Sequence, residues 1–319
     1  MNMKTVYLNK FMSSVVAELE MNGQYGTAHV CGSVLRSVMA FDGEGLPVSG
    51  ITPLWLKAYE GYLLHKGWKG LAWNTVSTYM RMLQAVYNRA VVRKLAAFIP
   101  HQFRDVFTGR KADHRRVLER DDMQKLLVER DPDITSPGMA WARACLELMF
   151  RFHGMPFVDL AHLRKSDLKD GYLTLRRRKT GMPLSARVDG RAMQLLERYR
   201  NRDDTSPYLL CFLDGNLEGM AAYRDYQRIL RLLNSRLRAL ALWKKVQGKV
   251  TSYSARHTWA TVGRYCHIPI EVISEGLGHA SVTTTEGYMK GFGNSRMDRA
   301  NKVIMNYIFK GLSNAVDKW

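Results

Sequence analysis

Apolar side chains recur every three to four positions in four successive blocks between residues 6 and 94, and this period commits the first third of the chain to packed amphipathic helices. The first block, Val6 to Met21, sets Phe11, Val15, Val16 and Leu19 on one face. The second, Ala28 to Phe41, turns Val30, Val34, Leu35 and Val38 inward and ends at the turn Asp42-Gly43-Glu44-Gly45. Thr52-Pro53 opens the third, a capping hydroxyl before a proline at the first helical position, and it runs to Lys66. Asn74-Thr75 begins the fourth, in which Tyr79, Met82, Leu83, Val86 and Tyr87 form one stripe while Arg81, Arg89, Arg93 and Lys94 point elsewhere.

From 96 to 117 the period is lost, and Arg110, Lys111, Arg115 and Arg116 mark a basic linker that either crosses a polyanion or is simply solvated. Helical spacing resumes over Arg120 to Glu129 and from Ser136-Pro137 to Phe152. Residues 173–179 and 182–188 read instead as a short β-hairpin turning at Thr180-Gly181. Tyr208 to Phe212 is a short apolar run suited to burial, Tyr223 to Leu242 a basic helix, and Ser295 to Phe309 a final amphipathic helix after Gly291-Phe292-Gly293. The expected fold is mainly α: a helical domain over 1–95, the linker over 96–117, and an α-rich domain with a small hairpin or sheet over 118–319.

With 319 residues the chain has room for two domains, and 48 Lys plus Arg against 29 Asp plus Glu give a net charge of +19. A polyanionic partner follows from that imbalance, nucleic acid first. No run of about eighteen apolar residues predicts a membrane span, and Glu18 and Glu20 interrupt the apolar stretch after Lys4 and Lys10, which argues against a signal peptide. Cys31, Cys145, Cys211 and Cys266 are scattered without a C-x-x-C pair, as expected of free buried thiols in a reducing cytoplasm rather than disulfides or a metal site. A phosphate-binding G-x-x-x-x-G-K-[ST] loop is lacking, so ATP use is not indicated.

The densest chemistry lies between residues 252 and 290. Arg256 is a fixed cation whose donor fork matches phosphate oxygens. His279 follows Leu277-Gly278, where a glycine ends a helix. Tyr288 follows Thr283-Thr284-Thr285 and carries a phenol, a poor nucleophile unless its oxygen is aimed and its target made electrophilic. Singly, these residues read as a surface charge, a C-cap donor and a core phenol. His257, next to Arg256 and about 100° round the same helix, is expected to face the core.

The run Arg-His-Thr-x-Ala-Thr, then Leu-Gly-His, then Thr-Thr-x-x-Tyr, resembles the tyrosine recombinase (phage integrase) family. The pattern Ile-Thr-Pro…Tyr-Glu…Asn-Thr…Tyr-Met-Arg-x-Leu…Tyr-Asn-x-Ala in the first domain is similar to the SAM-like core-binding domain of that family, in the version of Bacteroidetes mobile-element integrases. The resemblance implies a C-shaped clamp on double-stranded DNA. Tyr288 would attack a DNA phosphate to give a 3′-phosphotyrosyl link, with Arg256 and His279 stabilising the transition state. Lys179, in Lys-Thr-Gly at the hairpin turn, resembles the family's general acid for the leaving 5′ oxygen; alternatively it holds phosphate, as Arg176, Arg177 and Arg178 are expected to do. Neither metal nor nucleotide cofactor is implied. The family further implies four protomers on two DNA sites, exchange of the C-terminal helix between protomers, and a cytoplasmic, nucleoid-associated protein acting in integration, excision or inversion. A DNA-binding relative that has lost cleavage and a topoisomerase-like relaxing enzyme are the alternatives.

Two positions depart from the family pattern. The turn that usually reads Thr-Gly-x-Arg is here Phe152-His153-Gly154-Met155-Pro156, with proline in the arginine's place and His153 in the slot some relatives use. Arg143, Arg151 and Arg164 are the nearby candidates to replace it; loss without replacement would cost roughly 3–4 kcal/mol of transition-state stabilisation. Tyr253, one helical turn before Arg256, stands where the family more often has histidine and offers a donor but a weaker base.

Overall fold

The computed structural model describes residues 5–111, 117–127, 136–279 and 281–286. The chain divides into two compact units, Met1–Asp113 with Arg200–Arg231, and His114–Tyr199 with Leu232–Trp319. No helix among the described residues is long and apolar enough to cross a membrane.

The N-terminal segment of the first unit carries α1 (Leu8–Met21), α2 (Tyr25–Asp42), α3 (Pro53–His65) and α4 (Trp73–Val92). Thr52 caps α3 by accepting from the amide of Trp55 at 3.2 Å, with Pro53 at the first helical position. Leu8, Met12 and Val15 from α1, Val34 and Val38 from α2, Leu56, Tyr59 and Leu63 from α3, and Met80, Leu83 and Val86 from α4 close one core. The segment after α4 is tied to this bundle as far as residue 111. Phe103 and Val106 join the core, Phe107 donates its amide to Glu60 at 2.6 Å, and Asn74 makes two 2.8 Å bonds to the backbone of Lys111. Arg115 and Arg116 lie outside the described residues.

In the second unit α5 (Arg120–Leu127) precedes α6 (Pro137–Arg151), a helix buried on almost every side from Ala140 to Met149. After α6, His153 and Gly154 take positive φ (56° and 67°), which reverses the chain, and buried Pro156 leads into α7 (Phe157–Ala161). Strands β1 (Leu168–Lys169), β2 (Tyr172–Arg176) and β3 (Pro183–Arg187) form an antiparallel sheet in the order β1-β2-β3. The pairs Leu173↔Ala186 and Leu175↔Leu184 set its inner face. The hairpin ladder is shorter than the sequence suggests: pairing ends at Arg176↔Pro183, and 177–182 make a loop closed by Arg177 N–H to Met182 O (2.9 Å) and Gly181 N–H to Arg177 O (2.8 Å). After α8 (Gly190–Arg198) come α9 (Gly219–Trp243), whose residues up to Arg231 count with the first unit, α10 (Ser254–Tyr265), α11 (Ile270–Gly276) and α12 (Val282–Glu286).

Two expectations need correction. Cys31 and Cys145 are buried free thiols, but Cys211 and Cys266 are exposed; Cys211 sits where the run Leu209-Leu210-Cys211-Phe212 buries its other members and turns the thiol outward. On α10, Arg256 faces the interior at 2% exposure, while the neighbouring His257, expected in the core, is only half-buried.

Candidate active site

α11 ends in a Schellman turn: Gly278 N–H bonds Glu275 O (2.7 Å) and His279 N–H bonds Ser274 O (3.0 Å), with Gly278 at φ 62°. The turn leaves the carbonyls of Leu277 and Gly278 pointing at side chains rather than at the helix. Arg256, from α10, fills that position. Its Nη2 donates to Leu277 O at 2.7 Å and its Nη1 to Gly154 O at 3.0 Å. The close approach depends on Gly154, because a Cβ there would stand 2.9 Å from Cα of Arg256.

Arg256 Nη2 also lies 2.7 Å from Nε2 of His279. A guanidinium has donors only, so Nε2 accepts, the imidazole is neutral, and its proton sits on Nδ1, facing Oγ1 of the fully buried Thr285 at 2.8 Å. The environment favours that form. Burial first, then the charges of Arg256, Arg177 and Lys179, hold the His279 imidazole down to about 4. Thr285 belongs to α12, three residues before Tyr288, which lies outside the described residues.

Arg177 is the second guanidinium at this turn. Its Nη1 donates to Leu277 O, the same oxygen that Arg256 uses, and to Gly278 O at 2.9 Å, while Nε pairs with Asp159 at 3.2 Å. It is 5% exposed, whereas Arg176 at the end of β2 and Arg178 and Lys179 on the hairpin loop are exposed. Asp159, 2% exposed on α7, also accepts the Arg178 amide at 3.0 Å and so fixes the loop from below. The sequence carried a signal for this arrangement. In a strand, residues 173, 175 and 177 share a face, and Leu173 and Leu175 are the apolar members of that row. Grouping Arg176, Arg177 and Arg178 together as phosphate-holding cations hid it.

The other candidates are placed as follows. Arg151 is engaged by Glu147 (3.0 Å) and Asp189 (2.6 Å). Arg143 is 5% exposed on α6, and Arg164 is exposed beside a short 3-10 turn. Tyr253 stands at the N-cap of α10, 40% exposed, with its ring 6.2 Å from that of His257. His153 packs its ring 5.6 Å from that of Trp259, and burial lowers its pKa. In the other unit Arg89 and Arg93 both pair with Glu18 (3.2 and 2.6 Å), and Arg81 is exposed. Among the described residues no cluster of His, Cys, Asp and Glu could hold a metal ion.

Buried guanidinium groups held by carbonyl oxygens and a neutral imidazole make a donor array suited to a tetrahedral or pentavalent oxyanion. Residues 7–104 match the phage integrase SAM-like domain, and residues 116–292 match the phage integrase family. The tyrosine recombinase XerA of Pyrococcus furiosus is 29% identical over 140 residues, which span 43% of this chain and 46% of XerA. A putative integrase/recombinase of Sinorhizobium fredii is 27% identical over 180 residues, 54% of this chain and 88% of that protein. Among solved structures, a lambda integrase dimer bound to a COC′ core site superposes with a TM-score of 0.63 at 18% identity, covering 91% of this chain and 97% of that one.

Proposed function

The chain belongs to the phage integrase family, and on that premise we propose that it is a tyrosine-type site-specific recombinase that cleaves and rejoins double-stranded DNA. The observation that supports this most is the line Gly154–Arg256–His279–Thr285, which brings the motif residues of α10 and α11 into hydrogen-bond contact.

In the proposed reaction the Tyr288 oxygen bonds to the scissile phosphorus, the bond to the 5′ oxygen breaks, and a 3′-phosphotyrosyl ester forms. The ester conserves the bond energy, so a 5′ hydroxyl of a partner strand reverses the step without nucleotide hydrolysis. Arg256 turns its donors from protein carbonyls to the non-bridging oxygens. His279, neutral with Nε2 as acceptor, takes the proton that the Tyr288 phenol releases as its oxygen bonds to phosphorus, and then faces the oxyanion as a donor. Lys179, exposed on the hairpin loop, delivers a proton to the departing 5′ oxygen, which a guanidinium cannot do.

The domain from 1 to 95 binds the core site, residues 96–117 link it along the DNA backbone, and 118–319 carry the chemistry. Arg81, Arg89, Arg93, Arg115, Arg116, Arg176 and Arg178 contact phosphates. Four protomers on two sites exchange C-terminal helices, in the setting of the nucleoid, to integrate, excise or invert DNA.

A nicked suicide substrate tests the reading. Covalent protein–DNA adduct should accumulate with the wild-type chain and vanish with Tyr288→Phe. Buried Pro156, at the place of the family's first arginine, favours a second reading: a DNA-binding relative without cleavage. Tight binding with no adduct would select that reading.

A further inference from the structure

We propose that Arg177, at the base of the hairpin loop, is the second phosphate-neutralising arginine of this site and takes over the role that Pro156 leaves vacant. The inference rests on the recombinase reading above and deepens it by one catalytic residue.

The turn between α6 and α7 supplies no cation, since Pro156 has no side-chain donor and the half-buried His153 packs on Trp259. Arg151 is held by Glu147 and Asp189, with its Nη1 2.6 Å from Asp189. Arg177, by contrast, is already at the centre. It donates to the very oxygen of Leu277 that receives Arg256. Two donors on one oxygen are no more than about 6 Å apart, twice an N–H···O length, and one phosphate group with two non-bridging oxygens spans that gap.

The charge pattern asks for an anion. Two guanidinium groups share a carbonyl, the Lys179 ammonium is close enough for its charge to act on His279, and Asp159 is the buried carboxylate that pairs with Arg177. Like charges drawn this close repel unless a negative group binds between them. Arg177 also has a donor to spare. Nε and Nη1 are occupied by Asp159 and the Leu277 and Gly278 carbonyls, which leaves Nη2 to reach a further acceptor. Asp159 sets the aim of the fork from the opposite side, as a carboxylate does for a guanidinium that must not rotate.

The test compares adduct formation on nicked substrates carrying either an ordinary phosphodiester or an uncharged methylphosphonate at the scissile position. Arg177→Gln keeps an amide donor for the Leu277 and Gly278 carbonyls and removes the charge. It should lose about 100-fold on the phosphodiester, the scale of one lost oxyanion donor, and come within a few-fold of wild type on the methylphosphonate, where no charge needs neutralising. Arg177→Lys, which keeps the charge beside Asp159, should fall between the two and show the same dependence on substrate. Equal losses on both substrates would assign Arg177 to scaffolding and overturn the proposal. So would the substrate-dependent loss appearing in Arg143→Gln while Arg177→Gln matches wild type. If Arg177→Gln does not fold, the comparison is read from Arg177→Lys alone, and equal losses there overturn it too. Failure of the wild-type chain to form any adduct sinks the recombinase reading itself, a result distinct from all of these.

Discussion

Gly278 and Arg177 fit together so closely that a Cβ at residue 278 would lie 2.5 Å from Cδ of the arginine. The same glycine stands at φ 62°, a conformation that L side chains adopt at a cost. One position therefore does two things: it ends α11 and it admits a guanidinium to the carbonyls just exposed by that ending.

Gly278→Ala should accordingly destabilise the protein by about 1–3 kcal/mol through backbone strain alone and displace Arg177 as well. Thermal denaturation measures the first effect. Adduct yield on a nicked substrate measures the second, and it should fall further than the loss of folded protein accounts for.

Asp159→Asn separates charge from shape. The carboxylate is 2% exposed, pairs with Nε of Arg177 at 3.2 Å and accepts the Arg178 amide. Removing one partner of a buried pair leaves the other uncompensated, so a loss of about 3 kcal/mol is expected in urea denaturation. A change below about 0.5 kcal/mol would mean that the pair is solvated in solution.

His279 makes stability depend on pH in a predictable direction. Its folded-state value of about 4 lies below the ordinary 6.5, so between those pH values the unfolded chain binds more protons than the folded one. The contribution is fully present above pH 6.5 and is lost as pH falls toward 4. His153 and His162 are lowered too and act in the same sense. His279→Gln should therefore shrink, without abolishing, the drop in Tm between neutral pH and pH 4.5; an unchanged drop would contradict the neutral, half-buried imidazole.

Arg151→Gln should leave adduct formation within about threefold of wild type, because its guanidinium serves Glu147 and Asp189 rather than the α11 turn. Glu147 keeps Arg191 at 3.2 Å as a partner after the change, so the stability loss should stay near 1 kcal/mol.

DNA binding should be steeply salt-dependent, given a net charge of +19. A fall of about 1,000-fold in affinity between roughly 50 and 200 mM salt is expected for a protein that neutralises several phosphates. A flat response in a fluorescence-anisotropy titration would remove the electrostatic argument for a DNA partner.

Much of this molecule was legible in local pattern. Thr52-Pro53 opens α3, the stripe Leu83, Val86 and Tyr87 lines the first core, and Leu277-Gly278-His279 ends a helix, because capping, amphipathic spacing and left-handed glycine turns act over three to six residues. The recombinase motifs of α10 and α11 were visible for the same reason, each being a short run in order. What the sequence alone could not decide was which cations meet. Arg151 stands near the turn that lost its arginine yet turns to Asp189, 38 residues on, while Arg177 crosses 100 residues to the carbonyl of Leu277. Such choices depend on the end of one strand row, the space left by two glycines and the position of one buried carboxylate. Each of these comes from a different segment, and only packing in three dimensions brings them to a single oxygen atom.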